Sequence, residues 1–230
     1  HWRGNKFSGV GRITVAAGQF ITLEGGEGAG KSTQVAALAE ALRERGHEVL
    51  TTREPGGSDG AEEIRHLLVT GTTDRWDPLS EVLLLYAARR DHWRQLIAPA
   101  LARGAWVISD RFADSTMAYQ GYGLGLAREI IRRIHRVTLE GVAPDLTLVL
   151  DLPVLTGIER SLRRLERTAG VAEDRYEQMD IDFHERMRTG FLEIAAGDPR
   201  RCQVIDANCA SAEVSCAILS AIDARLKDAA

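Results

Sequence analysis

Residues 25–32 read Gly25-Gly26-Glu27-Gly28-Ala29-Gly30-Lys31-Ser32, which satisfies the phosphate-loop pattern G-x-x-x-x-G-K-[ST] in full. Bound phosphate demands many donors at close range. Backbone N–H groups supply them only where side chains do not block the approach. Four glycines in this loop meet that demand, and a helix starting at its end adds the positive pole of its dipole. Lys31 is placed to reach β- and γ-phosphates, and the Ser32 hydroxyl to ligate Mg2+, with Thr33 next in the chain. The flanks agree: Phe20–Leu23 has the pattern of a short apolar strand, and Gln34–Leu42 carries a helical period. These residues imply a site for a nucleoside triphosphate.

Further groups follow later apolar segments. Thr52-Arg53-Glu54-Pro55-Gly56-Gly57-Ser58 is a tight turn that either presents Arg53 and Glu54 to the same rim or leaves both as solvated surface charges. Asp110-Arg111-Phe112 closes another apolar run. An aspartate there is placed to act on Mg2+ through water, and Arg111 to clamp a phosphate with its rigid fork. Thr116 and Gln120 share a helix face at four-residue spacing, suited to reading a base edge or simply polar and exposed. Tyr86 and Arg90 are also one turn apart, a pair able to stack on a base and hold its carbonyl, or a core aromatic beside a surface charge. Arg160–Arg175 carries five arginines, either a solvated helix or a lid that closes charge over transferring phosphates.

The elements that must position these groups can be read from the rest of the chain. Its 230 residues suit one α/β domain, and 44% hydrophobic content is ordinary for a soluble protein. No run approaches a membrane span, and no signal peptide is evident. A net charge of −4 opposes non-specific nucleic-acid binding. Three cysteines (Cys202, Cys209, Cys216) without paired spacing oppose a disulfide framework and suit a reducing cytoplasm. The six histidines show no metal-ligand spacing. Residues 1–17 are Gly-rich and weakly patterned, an expected extension ahead of a single domain at 18–230.

Strands are predicted at Phe20–Leu23, Glu48–Thr51, Trp106–Ser109, Leu146–Leu150 and Gln203–Ile205. Helices are predicted at Ser32–Arg45, Ala61–Val69, Leu79–Ala102, Leu126–Glu140, Leu155–Arg167, Phe183–Ala196 and Ala212–Lys227. Such alternation implies parallel strands with helices on both faces and ligands at the carboxyl ends of the strands.

The ordered series Leu23–Thr33, Thr52–Gly57, Leu85–Arg90, Asp110–Phe112, Ala118–Gly121 and Pro144–Leu146 resembles the bacterial thymidylate kinases from about Gln19 onward. The resemblance implies a three-layer P-loop NTPase fold with a five-stranded parallel sheet. It implies transfer of the γ-phosphoryl of ATP to dTMP with Mg2+, in a cytoplasmic homodimer with no nucleic-acid or membrane partner. By the same resemblance Gly25–Thr33 and Arg160 bind ATP, with the Asp206-Ala207-Asn208 turn on the other side of adenine, and Ser32 and Asp110 serve the metal. Tyr86 stacks on thymine and Arg90 meets its carbonyl, while Thr116 and Gln120 contact its other atoms. Tyr119 lies beside the sugar, Glu27 near the 3′-hydroxyl, and Arg53, Glu54 and Arg111 line the acceptor site. Lys31, Asp110, Arg111 and a lid arginine, Arg164 ahead of Arg163 and Arg167, form the catalytic set, with the lid at about 160–175.

Two departures stand out: Phe112 occupies a position where the family often has Tyr or His, and the loop lacks the arginine some members place at Gly28 or Ala29. Three other classes fit less well. A GTPase switch needs Asn-Lys-x-Asp after a later strand, whereas the only Asn-Lys pair is Asn5-Lys6, ahead of the loop. A sibling kinase would keep the scaffold and change the acceptor residues. A non-catalytic nucleotide binder would lack Asp110 or the lid.

Overall fold

The computed structural model describes residues 18–165 and 175–225; the expected extension at 1–17 lies outside them. In chain order the elements begin β1 Phe20–Glu24, α1 Lys31–Glu44, β2 Val49–Arg53, α2 Asp59–Val69 and α3 Pro78–His92. A π-turn, Trp93–Ile97, carries α3 into α4 Ala98–Ala102, followed by β3 Trp106–Asp110 and α5 Ala113–Thr116, which continues as a π segment Met117–Gly123. The chain then forms α6 Arg128–Leu139, β4 Leu146–Asp151, α7 Val154–Leu165, α8 Ile181–Gly197, β5 Cys202–Asp206 and α9 Ser211–Arg225.

The five strands form one parallel sheet in the order β2-β3-β1-β4-β5. Side chains alternate across it. Ile21 and Leu23 join Val35, Leu38 and Leu42 of α1 and Val214, Ile218 and Ile222 of α9 in one core layer. On the other face Phe20 packs with Val82 and Tyr86 of α3 and with Ile131 and Leu139 of α6. A third group joins Val149 to Phe183, Met187 and Phe191 of α8 and to Tyr119. Three layers result, as the alternating pattern implies.

Register matters more for chemistry than layer count. Leu23 of β1 and Arg53 of β2 both pair with Asp110 of β3, so these three strands end level and their following loops converge. Capping fixes where two of the helices begin. Asp77 accepts from Leu79 N (3.0 Å) and Ser80 N (3.1 Å) ahead of Pro78 in α3, and Asp180 accepts from Phe183 N (2.6 Å) in α8. The segment 113–123 is helical although no apolar period marks it, because its anchors are polar: Ser115 Oγ donates to the buried Glu24 at 2.5 Å.

Arg175 departs from the expectation of a lid arginine. Its side chain is 3% exposed, 2.6 Å from the carboxylate of Glu81, and donates to the carbonyls of Leu68, Thr72 and Thr73. The pair ties the chain entering α8 to the end of α2 and the start of α3. Breaking one side of a buried pair strands the other charge, at about 3–5 kcal/mol. Arg175→Met should therefore lower unfolding free energy by about that amount in a denaturant titration. Arg163→Met should change it by no more than about 0.5 kcal/mol, because Arg163 is exposed and, among the described residues, pairs with Glu159 on the exposed face of α7.

Candidate active site

A cavity of about 720 Å3 opens at the level ends of β1, β2 and β3, running from the phosphate loop and Arg160 to Pro55, Leu85 and Tyr176. Gly28, Gly30, Lys31, Ser32 and Thr33 line it from the loop. Gly25 and Gly26 line a small cleft behind the loop, and Ala29 is packed into the core. Gly28 has φ +69°, and a Cβ there would lie 2.1 Å from the Gly157 carbonyl of α7, so the loop closes only with glycine.

Lys31 is buried rather than solvent-open as a loop lysine would suggest. Its ammonium donates to the carbonyls of Gly25 (3.1 Å) and Gly26 (2.7 Å). Burial, with Arg111 adding repulsion, pushes its pKa down to about 8 against the pull of Asp110 and Glu27. An arriving polyphosphate supplies the missing negative charge. Beside it, Ser32 Oγ donates to Asp110 Oδ2 at 2.7 Å. Two hard oxygen donors beside a phosphate loop fit Mg2+, which keeps waters and nucleotide oxygens as its other ligands.

Arg111 follows Asp110 with φ +74°, a backbone state that a non-glycine residue holds only when its surroundings over-determine it. Here its N–H donates to Leu23 O (3.0 Å) and its guanidinium to Gly25 O (3.0 Å) and Ser115 Oγ (3.1 Å). The guanidinium also lies 4.8 Å over the ring of Tyr119 and 3.5 Å from Glu27. Burial opposes the charge, but Tyr119, Glu27 and Asp110 raise its pKa above the ordinary arginine value.

Glu27 accepts from the Tyr119 hydroxyl and lies 3.4 Å from Nδ1 of the buried His184. Burial alone would raise its pKa. The His184 hydrogen bond and the charges of Arg111 and Lys31 outweigh burial and hold it at about 2, so it stays ionised. Glu24, one strand turn earlier, is the opposite case. Burial and then Asp114 push it up to about 7 despite donors from Phe112 N (2.8 Å) and Ser115.

The second-strand turn places Arg53 at the exposed rim, paired with Glu62 at 3.1 Å. Glu54 departs from it, being buried with its oxygens held by Arg89 Nε (2.6 Å) and His92 Nδ1 (3.1 Å). The helix pair expected at the base also requires correction. Tyr86 belongs to the core with Phe20, Val82 and Phe112, and Arg90 donates to Thr138 O at 2.7 Å; neither lines the cavity. Their neighbours Leu85 and Arg89 line it instead. One residue is about 100° of helix, enough to exchange wall for core.

Arg89 is 2% exposed. Its Nη2 donates to Phe112 O (3.0 Å) and to Thr116 Oγ1 (2.9 Å), and its Nη1 is buried without a hydrogen-bond partner. Gln120 gives Nε2 to Glu81 at 2.6 Å, and its Oε1 is also buried and unpartnered. Thr116, Tyr119 and Gln120 all line the cavity. At the far end Arg160 lines it too, donating to Ala207 O at 3.3 Å. Arg163 is exposed beside Glu159, whereas the Arg164 side chain and Arg167 lie outside the described residues, as does most of the expected lid.

Sequence reasoning missed Leu85, Arg89, His92, Glu81 and His184 as contributors. A stripe at 81, 85, 89 and 92 in α3 was the available signal: four positions on one face, three of them ionisable.

Known proteins supply the remaining comparison. The family model for thymidylate kinase matches residues 23–218. A thymidylate kinase from Caulobacter vibrioides is 53% identical over 209 residues, covering 91% of this chain and 98% of that protein. One from Rhizorhabdus wittichii is 50% identical, covering 89% and 97%. The crystal structure of thymidylate kinase from Ehrlichia chaffeensis superposes with a TM-score of 0.71 at 35% identity over 90% of this chain and 99% of that one. With the phosphate loop, the level strand ends and a half-identical sequence along nearly the whole chain, this protein belongs to the thymidylate kinase family.

Proposed function

We propose that the chain transfers the γ-phosphoryl group of ATP to dTMP, giving ADP and dTDP. One observation carries the acceptor: a buried unpartnered donor, Arg89 Nη1, and a buried unpartnered acceptor, Gln120 Oε1, belong to one cavity wall. The Gln120 amide cannot reverse, because its Nε2 donates to a carboxylate that only accepts. Thymine presents the complement, a carbonyl oxygen next to a ring N–H. Cytosine presents the reverse, an amino group next to a bare ring nitrogen. A sibling kinase for cytidylate or adenylate would leave both protein groups unpaired in a buried wall.

The chemistry then needs little from the protein beyond charge and alignment. A phosphate monoester loses its second proton with a pKa near 6. An acceptor oxygen is therefore already an anion at neutral pH, and no general base is required. That oxygen bonds to the γ-phosphorus as the bond to the β–γ bridging oxygen breaks, leaving ADP. The obstacle is bringing two polyanions together. In this reading Lys31 meets the β- and γ-phosphates, while Arg53 and Arg111 hold the acceptor phosphate. Arg164, with Arg163 and Arg167 as its neighbours in sequence, supplies charge from the lid. Glu27 takes the sugar 3′-hydroxyl, with Tyr119 closing the space beside it, and Arg160 covers adenine. Ser32 and Asp110 would hold Mg2+, which neutralises charge on the β- and γ-oxygens when bound.

We further propose a homodimer formed through α3 and α6, whose Leu83 (53% exposed) and Val137 (83% exposed) leave apolar side chains uncovered. Among the described residues no helix is long and apolar enough to cross a membrane, which supports a cytoplasmic location.

The test of the reading is ADP release with ATP, Mg2+ and each monophosphate. dTMP should be the best substrate. dUMP, missing one methyl, should be about 10–200-fold worse in kcat/KM, and dCMP about ten-thousand-fold worse. Equal use of dCMP would exclude this base site. Lys31→Ala should lower kcat by about 100- to 1,000-fold while circular dichroism stays native. Arg89→Lys should raise the KM for dTMP about tenfold or more with the KM for ATP unchanged, since lysine cannot reproduce the fork. Arg90→Ala should leave both constants within about twofold.

A further inference from the structure

We propose that His92 is a positioning residue for base recognition, aiming Arg89 through the buried carboxylate of Glu54. The proposal rests on the reading of Arg89 as the donor to the base carbonyl. His92 ends α3, is wholly buried and lies outside the cavity wall, so it touches no substrate. Its two nitrogens have different partners: Nδ1 lies 3.1 Å from Glu54 Oε1, and Nε2 lies 2.7 Å from Thr52 Oγ1 at the end of β2. A carboxylate only accepts, so Nδ1 donates to Glu54, while the Thr52 hydroxyl, able to donate or accept, serves Nε2.

The consequence reaches Arg89 through geometry. Glu54 receives Arg89 through Nε alone, at Oε2 and 2.6 Å. A carboxylate held at one oxygen turns about its last torsion, which is broad and two-fold. The His92 donor on Oε1 removes that freedom and sets the carboxylate plane. The guanidinium is rigid, so fixing Nε against this plane and Nη2 against Phe112 O and Thr116 Oγ1 leaves one direction for Nη1. Nη1 is the one nitrogen of the group without a protein partner.

The turn after β2 clamps the ring from outside. Gly57 has φ +89°, and a Cβ there would lie 2.3 Å from His92 Nε2 and 2.5 Å from Thr52 Oγ1. No side chain fits between turn and ring, so the imidazole has no room to shift away from Glu54.

Asparagine and glutamine separate the two nitrogens. Asn presents an N–H near the place of Nδ1, whereas Gln presents its amide near the place of Nε2. The experiment measures kcat, KM for dTMP and KM for ATP, with melting temperature, for His92→Asn, His92→Gln, His92→Leu, Thr52→Val and Arg89→Lys. Expected are a rise in the KM for dTMP of about tenfold for Gln and Leu and a smaller rise for Thr52→Val. Asn should stay within about threefold of the parent, with kcat and the KM for ATP within about twofold for every His92 and Thr52 variant. Gln and Asn equally impaired, or Gln and Leu both at the parent KM, would overturn the relay. If His92→Leu fails to fold, the Asn–Gln comparison decides; if Gln also fails, a parental KM in Thr52→Val overturns it. Arg89→Lys at the parent KM would instead overturn the base-site reading, which keeps the two failures apart.

Discussion

Ionised side chains taken out of water cost several kcal/mol each unless charge and hydrogen bonds compensate them, and the cavity end of this sheet buries many. Glu24, Lys31, Glu54, Glu81, Arg89 and Arg175 are all less than 9% exposed. Glu54 lies between Arg89 and His92, and Glu81 between Arg175, Tyr176 and Gln120. The site is thus a set of mutually compensating charges. Among the described residues, the buried atoms these pairings leave without a hydrogen bond include Arg89 Nη1 and Gln120 Oε1, whose residues line the cavity.

The parallel sheet is what lets so much charge gather without unfolding the chain. Its interior strands β1, β3 and β4 carry no ionisable side chain below their last residues, so within them the cost of burying charge falls at the ends. There the pairings Leu23–Asp110 and Arg53–Asp110 bring the loops after β1, β2 and β3 to one level. The phosphate loop lies across that level with the N-terminus of α1 behind it, and burial, with Arg111 nearby, lowers the pKa of Lys31 there. Fold and electrostatics meet at the strand tips, and the hydrophobic layers serve to hold them level.

How much of this was legible follows from the same physics. The strands, the phosphate loop, Ser32 with Asp110, and the cavity-lining Thr116, Tyr119 and Gln120 could be read because short-range pattern fixes them. The cavity wall on α3 was harder to read. Its one signal is the sparse stripe 81, 85, 89 and 92, while Leu83-Leu84-Leu85-Tyr86-Ala87-Ala88 is apolar all round and the aromatic Tyr86 drew attention from Leu85. Arg89 and Arg90 are adjacent identical residues with opposite fates. Buried charges were invisible for a further reason. Composition counts Glu54, Glu81, His92 and Arg175 as surface residues, and only their long-range partners, up to 107 positions apart, make burial affordable. Arg175 shows the error plainly: in sequence it joins an arginine-rich stretch, in space it closes a core ion pair.

That ion pair has a chemical consequence beyond stability. An amide can present either its oxygen or its nitrogen, and the choice for Gln120 is made by Glu81, which accepts from Nε2 at 2.6 Å. A carboxylate offers Gln120 acceptors and no donor, and the charge facing it at 2.6 Å is Arg175. Neutralise the pair and the amide loses the contact that orients it, so its oxygen and nitrogen can exchange places in the cavity wall. The orientation of a cavity-lining amide is thus carried by a charge it never touches, through one intermediate carboxylate. The arrangement matches the Thr52–His92–Glu54–Arg89 chain on the other side of the wall. Each of these two cavity-lining groups has a buried carboxylate behind it that removes its alternative orientation, and each carboxylate has a second buried partner that removes its own.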